Sequence, residues 1–209
     1  LRASLGPNPC RGYGMGQVRI IGGQWRRRTL QVPDRPGLRP TPDRARETVF
    51  NWLESWLPYQ WSDTRVLDAF AGSGALGIES ASRGAQQVVL VESDRVAAAF
   101  IQSAIDELHA GQLLRLFHAN LAGLAKGGPE GPLGGLFDLV FLDPPFQDES
   151  QAQALALIRP LLAPEAMVVL ESPRAWPQCV TGLEAGFWQC HRQASAGKSH
   201  QSLLSLSSS

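Results

Sequence analysis

Between Arg65 and Glu171 the chain alternates short, nearly continuous apolar runs with longer segments whose apolar residues recur every three or four positions. The runs predict strands near 65–70, 87–92, 113–118, 137–142 and 166–171, and the longer segments predict helices near 74–83, 94–110 and 148–162. Strands and helices in that order close through right-handed crossovers into a mostly parallel sheet covered on both faces, a doubly wound α/β fold. The Gly/Pro-rich stretch from Gly127 to Gly135 reads as a loop leading into the fourth strand.

The flanks have a different texture. The run from Val18 to Leu30 reads as two short strands joined at Gly22-Gly23, a hairpin turn signal. Residues 33–40 form a turn-rich connector, after which Thr41-Pro42 fits an N-cap and a first-turn proline. Ala45, Val49, Trp52, Leu53 and Trp56 then recur at helical spacing to about residue 57, with Trp52 and Trp56 expected in the core. Residues 1–16 have no periodicity and are expected to be disordered, with Met15 a candidate native start. At the other end, disorder is expected across the Ser-rich residues 202–209, apart from a last strand at 202–206. This divides the chain into an extension at 17–57 and a main domain at 58–209.

Composition narrows the function classes. At 44% hydrophobic and 18% charged, 209 residues make a globular chain of one main domain. Nineteen basic and nineteen acidic residues cancel, so any nucleic-acid binding must come from local clustering. The three cysteines are unclustered and no Cys/His group has metal-ligand spacing, so neither a disulfide nor a metal is expected. No apolar stretch is long enough for a membrane span, and the expected setting is cytoplasmic.

Two segments carry chemistry. Val66-Leu67-Asp68-Ala69-Phe70-Ala71-Gly72-Ser73-Gly74-Ala75-Leu76-Gly77 is a strand, a glycine turn and a helix start. Its glycines satisfy G-x-G-x-x-G, and Glu92 ends the next strand where an acidic residue holds the ribose hydroxyls of an adenosyl ligand. Asp68 would repel a pyrophosphate but suit a cationic sulfonium, which favours S-adenosylmethionine over a dinucleotide. Asp143-Pro144-Pro145-Phe146 follows the fourth strand. The Asp143 carboxylate and the Pro144 carbonyl are acceptors for an amino group, and Phe146 is a stacking surface. Taken alone, the tetrapeptide reads first as an ordinary strand-terminating loop.

The order D-x-F-x-G-x-G, acidic strand end, D-P-P-F resembles class I S-adenosylmethionine-dependent methyltransferases acting on exocyclic amines. Arg19-Ile20-Ile21-Gly22-Gly23-Gln24-Trp25-Arg26, the segment from Leu38 to Leu53, and Phe70 to Glu79 are similar to the RsmD family, bacterial 16S ribosomal RNA (guanine-N2)-methyltransferases. The resemblance spans roughly residues 17–171. It implies a seven-stranded Rossmann-like sheet with an N-terminal hairpin and helix, and methylation of the N2 amine of guanine 966 of 16S rRNA. It also implies cofactor contacts from Thr41, Asp68, Phe70, Gly72, Ser73, Gly74, Glu92 and Asn120, and a catalytic set of Asp143, Pro144 and Phe146. Asn120 departs from the Asp common at that position, and 199–206 replaces a more aromatic final strand.

The N-terminal part is crowded with arginine. Arg19, Arg26, Arg27, Arg28 and Arg39, with Trp25 among them, read as an arm facing RNA, the guanidinium groups on phosphates and the indole stacking. The partner is then 16S rRNA or the 30S subunit, and the chain acts as a monomer. An amino-methyltransferase on DNA adenine or protein glutamine, or a non-catalytic rRNA-binding assembly factor, are the alternatives.

Overall fold

The computed structural model describes residues 14–34, 42–56, 61–145, 150–180 and 182–207. Its centre is a seven-stranded sheet. Five strands are parallel: β3 (Arg65–Asp68), β4 (Gln87–Glu92), β5 (Leu114–His118), β6 (Phe137–Leu142) and β7 (Leu162–Ser172). β8 (Trp188–Ala196) and β9 (Ser199–Leu206) complete it in the order β5-β4-β3-β6-β7-β9-β8, with β9 antiparallel to both neighbours. From β3 the chain winds outward through β4 to β5, then returns to lay β6 on the other side of β3. The β3/β6 pair is therefore the topological switch point, and the carboxyl ends of those strands are where such sheets bind ligands.

Side-chain alternation splits the core between the two faces. Leu139 and Phe141 of β6 point into one cluster, with residues of α1 (Asp43–Trp56), α2 (Ala75–Ser82) and α3 (Arg95–Glu107). Val140 and Leu142 point into the other, with α4 (Leu121–Ala125) and α5 (Ser150–Ile158). The spacing of Ala97, Ile101, Ala104, Ile105 and Leu108 gives α3 one buried stripe. Asp94 starts this helix by accepting the backbone N–H groups of Val96 and Ala97, both at 2.9 Å. The extension shares the first cluster, through Ile20, Leu30, Val49, Phe50 and Leu53. Trp52 and Trp56 pack half-buried against it.

Several expectations need correction. The hairpin does not turn at Gly22-Gly23: β1 (Met15–Arg19) and β2 (Thr29–Pro33) pair antiparallel, with residues 20–28 between them as a long loop. Gly23, at φ 72°, lies against α2, and a Cβ there would sit 1.8 Å from the Ser82 carbonyl oxygen. Close approach to a helix needs glycine here, and a hairpin turn would need it too. Met15 and Gly16, expected in a disordered stretch, begin β1. α5 ends at Ile158 instead of residue 162, because Pro160 cannot continue it, and β7 begins at Leu162. The last strand expected at 202–206 is present as β9 but begins earlier, at Ser199, with Gln201, Ser202, Leu203 and Leu204 buried.

Candidate active site

The glycine turn and its neighbours are held by backbone bonds to carboxylates. Asp68, at the end of β3, is buried and accepts the Gly77 N–H at 2.9 Å, which ties the strand to the first turn of α2. Gly77 packs so closely that a Cβ would come within 2.9 Å of Leu90 and 3.1 Å of the Asp68 carboxylate. Gly72 and Gly74 take φ of 53° and 73°, the conformation that the motif demands of them. Glu92, at the end of β4, accepts the Gly72 N–H at 2.7 Å with one oxygen and the Asp94 N–H at 2.6 Å with the other. Each oxygen keeps a lone pair for a ligand hydroxyl. Phe70, Glu92 and Asn120 line one cleft together with Ala69, Val91, Ser93, Ala119 and Leu121. Asn120 caps α4 by accepting the Ala122 N–H at 2.9 Å, which leaves its amide nitrogen for a ligand. Ser73 is half-buried in the turn.

Across the switch point, Asp68 pairs with Phe141 in register, so Asp143 emerges two residues further at the same rim. Pro144 beside it is buried. Asp143 is pushed up to about 8, first by burial, then by the charges of Glu171 and Asp68. Asp68 is pushed up to about 7, again mainly by burial and further by Glu92, against the lowering effect of the Gly77 hydrogen bond. Four strand ends, those of β3, β4, β6 and β7, thus converge acidic groups on one rim. Burial first, and the charge of neighbouring carboxylates after it, raises these two values, with no cation among the described residues to offset them. Adding one there would lower both. Glu171, next to Leu170, which pairs with Leu142, is a member that the sequence motifs did not reveal.

Thr41, Arg39 and Phe146 fall outside the described residues. The arginine arm is only partly as expected. Arg26, Arg27 and Arg28 are exposed on the 20–28 loop, and Arg28 donates to the Glu107 carbonyl at 3.3 Å. Arg19 is 60% exposed and pairs with Asp43 at 3.3 Å. Trp25 packs half-buried against the core. Among the described residues no helix is long and apolar enough to cross a membrane.

The family model described as Conserved hypothetical protein 95 matches residues 18–205. Ribosomal RNA small subunit methyltransferase D of Escherichia coli K12 is 42% identical over 191 residues, 88% of each chain. The protein of that name in Haemophilus influenzae Rd is 38% identical over 165 residues, 78% of this chain and 82% of its own. Among solved structures, the Escherichia coli protein yhhF, described provisionally as a methyltransferase, superposes with a TM-score of 0.76 at 39% identity, over 90% of this chain and 97% of that one.

Proposed function

The chain belongs to the Conserved hypothetical protein 95 family, the RsmD-type S-adenosylmethionine-dependent methyltransferases, and from that membership we propose that it methylates the N2 amine of guanine 966 in 16S ribosomal RNA. The observation that carries the reading is the acidic rim: Asp68, buried, and Asp143, half-buried, stand at neighbouring strand ends with raised pKa values and fit a ligand bearing positive charge at its reacting centre. S-adenosylmethionine, when bound, supplies an already activated methyl group on a sulfonium.

The protein's own task is alignment. Without a cation beside it, Asp143 holds its proton at neutral pH and is a poor acceptor. Next to positive charge it ionises, and its carboxylate can then accept from the guanine amine along with the Pro144 carbonyl. Those two acceptors favour the charge that develops on the nitrogen as the methyl arrives. Asp143 is not required as a base, because the product cation is acidic enough to lose its proton to water. Asp68 keeps the glycine turn in place through Gly77, and Glu92 offers its spare lone pairs to the ribose. Asn120 is assigned to the adenine edge, Thr41 to the methionine end and Phe146 to stacking on the guanine.

A guanine in a helix cannot reach a strand-end rim, so the target is unpaired or flipped out. Arg19, Arg26, Arg27, Arg28 and Arg39 hold the surrounding RNA, and Trp25 supports their loop. We place the protein in the cytoplasm as a monomer acting on the assembled 30S subunit. Tritiated S-adenosylmethionine offered with 30S subunits, naked 16S RNA, DNA and ribosomal protein tests this. Label is expected in 16S RNA within 30S subunits; label confined to DNA or protein would overturn it.

A further inference from the structure

We propose that Glu79 is a positioning residue for the RNA substrate: its buried carboxylate bolts the arginine loop onto the helix that begins at the cofactor turn. This rests on the reading of the chain as an rRNA methyltransferase. Glu79 is fully buried in α2, two residues past Gly77, and has no place in the cofactor cleft. Its two oxygens accept the backbone N–H groups of Ile21 and Gly22, each at 2.7 Å. Arg83 donates to it at 3.0 Å, and Arg46, also fully buried, lies 3.9 Å away.

Ser82, one turn on, adds three bonds. Its hydroxyl accepts the Trp25 N–H at 2.9 Å and donates to the Gly22 carbonyl at 2.6 Å, and its own carbonyl accepts the Gln24 N–H at 2.7 Å. Arg46 closes the other side by donating to the Arg19 carbonyl at 2.7 Å and to Asp43 at 2.6 Å. Loop 20–28 has two apolar anchors, buried Ile20 and half-buried Trp25, and Arg27 sits at φ 72°, a conformation that an L-residue with a side chain disfavours. Polar bonds to α2 hold it there. The exposed Arg26, Arg27 and Arg28 are thereby fixed relative to Gly77 and Asp68, and so relative to the methyl donor. A loop that is ordered before binding loses less freedom when it grips RNA.

Glu79→Gln keeps one acceptor but turns an amide N–H₂ toward a backbone N–H. Ser82→Ala removes two of the loop bonds without touching a charge. The measurements are KM for 30S subunits, kcat, the Kd of S-adenosylhomocysteine, and the salt dependence of RNA binding. We expect KM to rise about tenfold in Glu79→Gln and roughly threefold in Ser82→Ala, since freed Arg side chains must then be ordered on binding. The salt slope should become shallower, with kcat and the S-adenosylhomocysteine Kd within about twofold of wild type. Unchanged KM in both variants, or a raised KM accompanied by comparable losses of kcat and cofactor affinity, overturns the proposal. Ser82→Ala decides alone if Glu79→Gln does not fold. If the wild-type protein itself fails to methylate 30S subunits, the functional reading fails first.

Discussion

Titrating the acidic rim should change affinity for the cofactor far more than affinity for its product. Asp143 lies at about 8 and Asp68 at about 7 in the ligand-free protein, against an ordinary value of 3.8. A sulfonium beside them favours the ionised forms, so below these values binding must release protons. Each group then weakens binding by up to about tenfold per pH unit. From pH 8 down to pH 6 this gives up to about 100-fold from Asp143, and about tenfold more from Asp68 below pH 7. S-adenosylhomocysteine carries the same amino acid and adenosine but no sulfonium, and it cancels titrations elsewhere in the cleft. Calorimetry of both ligands from pH 6 to pH 9, in two buffers of different ionisation enthalpy, measures the affinity ratio and the protons released. The ratio should favour S-adenosylmethionine increasingly up to about pH 8 and then level off. In Asp143→Asn the dependence should shrink to the part below pH 7 that belongs to Asp68. A ratio flat across the range in the wild-type protein would refute the assignment of the rim to the methyl donor's charge.

The same shifts affect stability. A carboxyl whose folded value is raised keeps its proton while the unfolded chain ionises, so its contribution falls as pH rises from about 4 toward 8. Asp143→Asn should therefore raise the ligand-free melting temperature at pH 8 and do so less at pH 4, as followed by circular dichroism. Asn120→Asp preserves the α4 cap and adds an acceptor for the adenine amine, so cofactor affinity should tighten by about fivefold in a calorimetric titration, the worth of one net hydrogen bond. No change, or weakening, would move Asn120 off the adenine edge. Replacing Arg26, Arg27 and Arg28 together by Gln should reduce the slope of log affinity against log salt by roughly 2 to 3, as measured by filter binding to 16S RNA. An unchanged slope would make these arginines ordinary surface.

The motifs that were legible in the chain are those whose chemistry is local. A turn that needs glycine at 72, 74 and 77 and a carboxylate at 68 must write all four within ten residues, and the structure joins Asp68 to Gly77 directly. The parallel strands were equally plain, because burial on both faces makes them continuous apolar runs. What escaped depends on distant partners. Glu171 joins Asp143 only because β7 lies beside β6, and no short motif announces it. Gly22 and Gly23 read as a hairpin turn, and only the position of α2 shows that Gly22 makes room for the Arg83 guanidinium and Gly23 for the Ser82 carbonyl. β8 at the sheet edge is mostly polar and its exposure does not alternate regularly, with a register shift between Cys190 and Arg192, so periodicity had little to register. Gln201 lies outside the last strand expected at 202–206, yet it is buried in β9 between β7 and β8. α4, only five residues long, is too short for a helical period to stand out.

The central claim is methyl transfer to the N2 amine of one guanine of small-subunit RNA. It is tested most directly by treating 30S subunits that lack this modification with the protein and S-adenosylmethionine, then mapping the 16S RNA by nuclease digestion and mass spectrometry. One N2-methylguanine at position 966, absent when Asp143→Asn replaces the wild-type protein, is the predicted result. A methyl group on any other base or atom, or none at all from a protein that binds the cofactor, would contradict it.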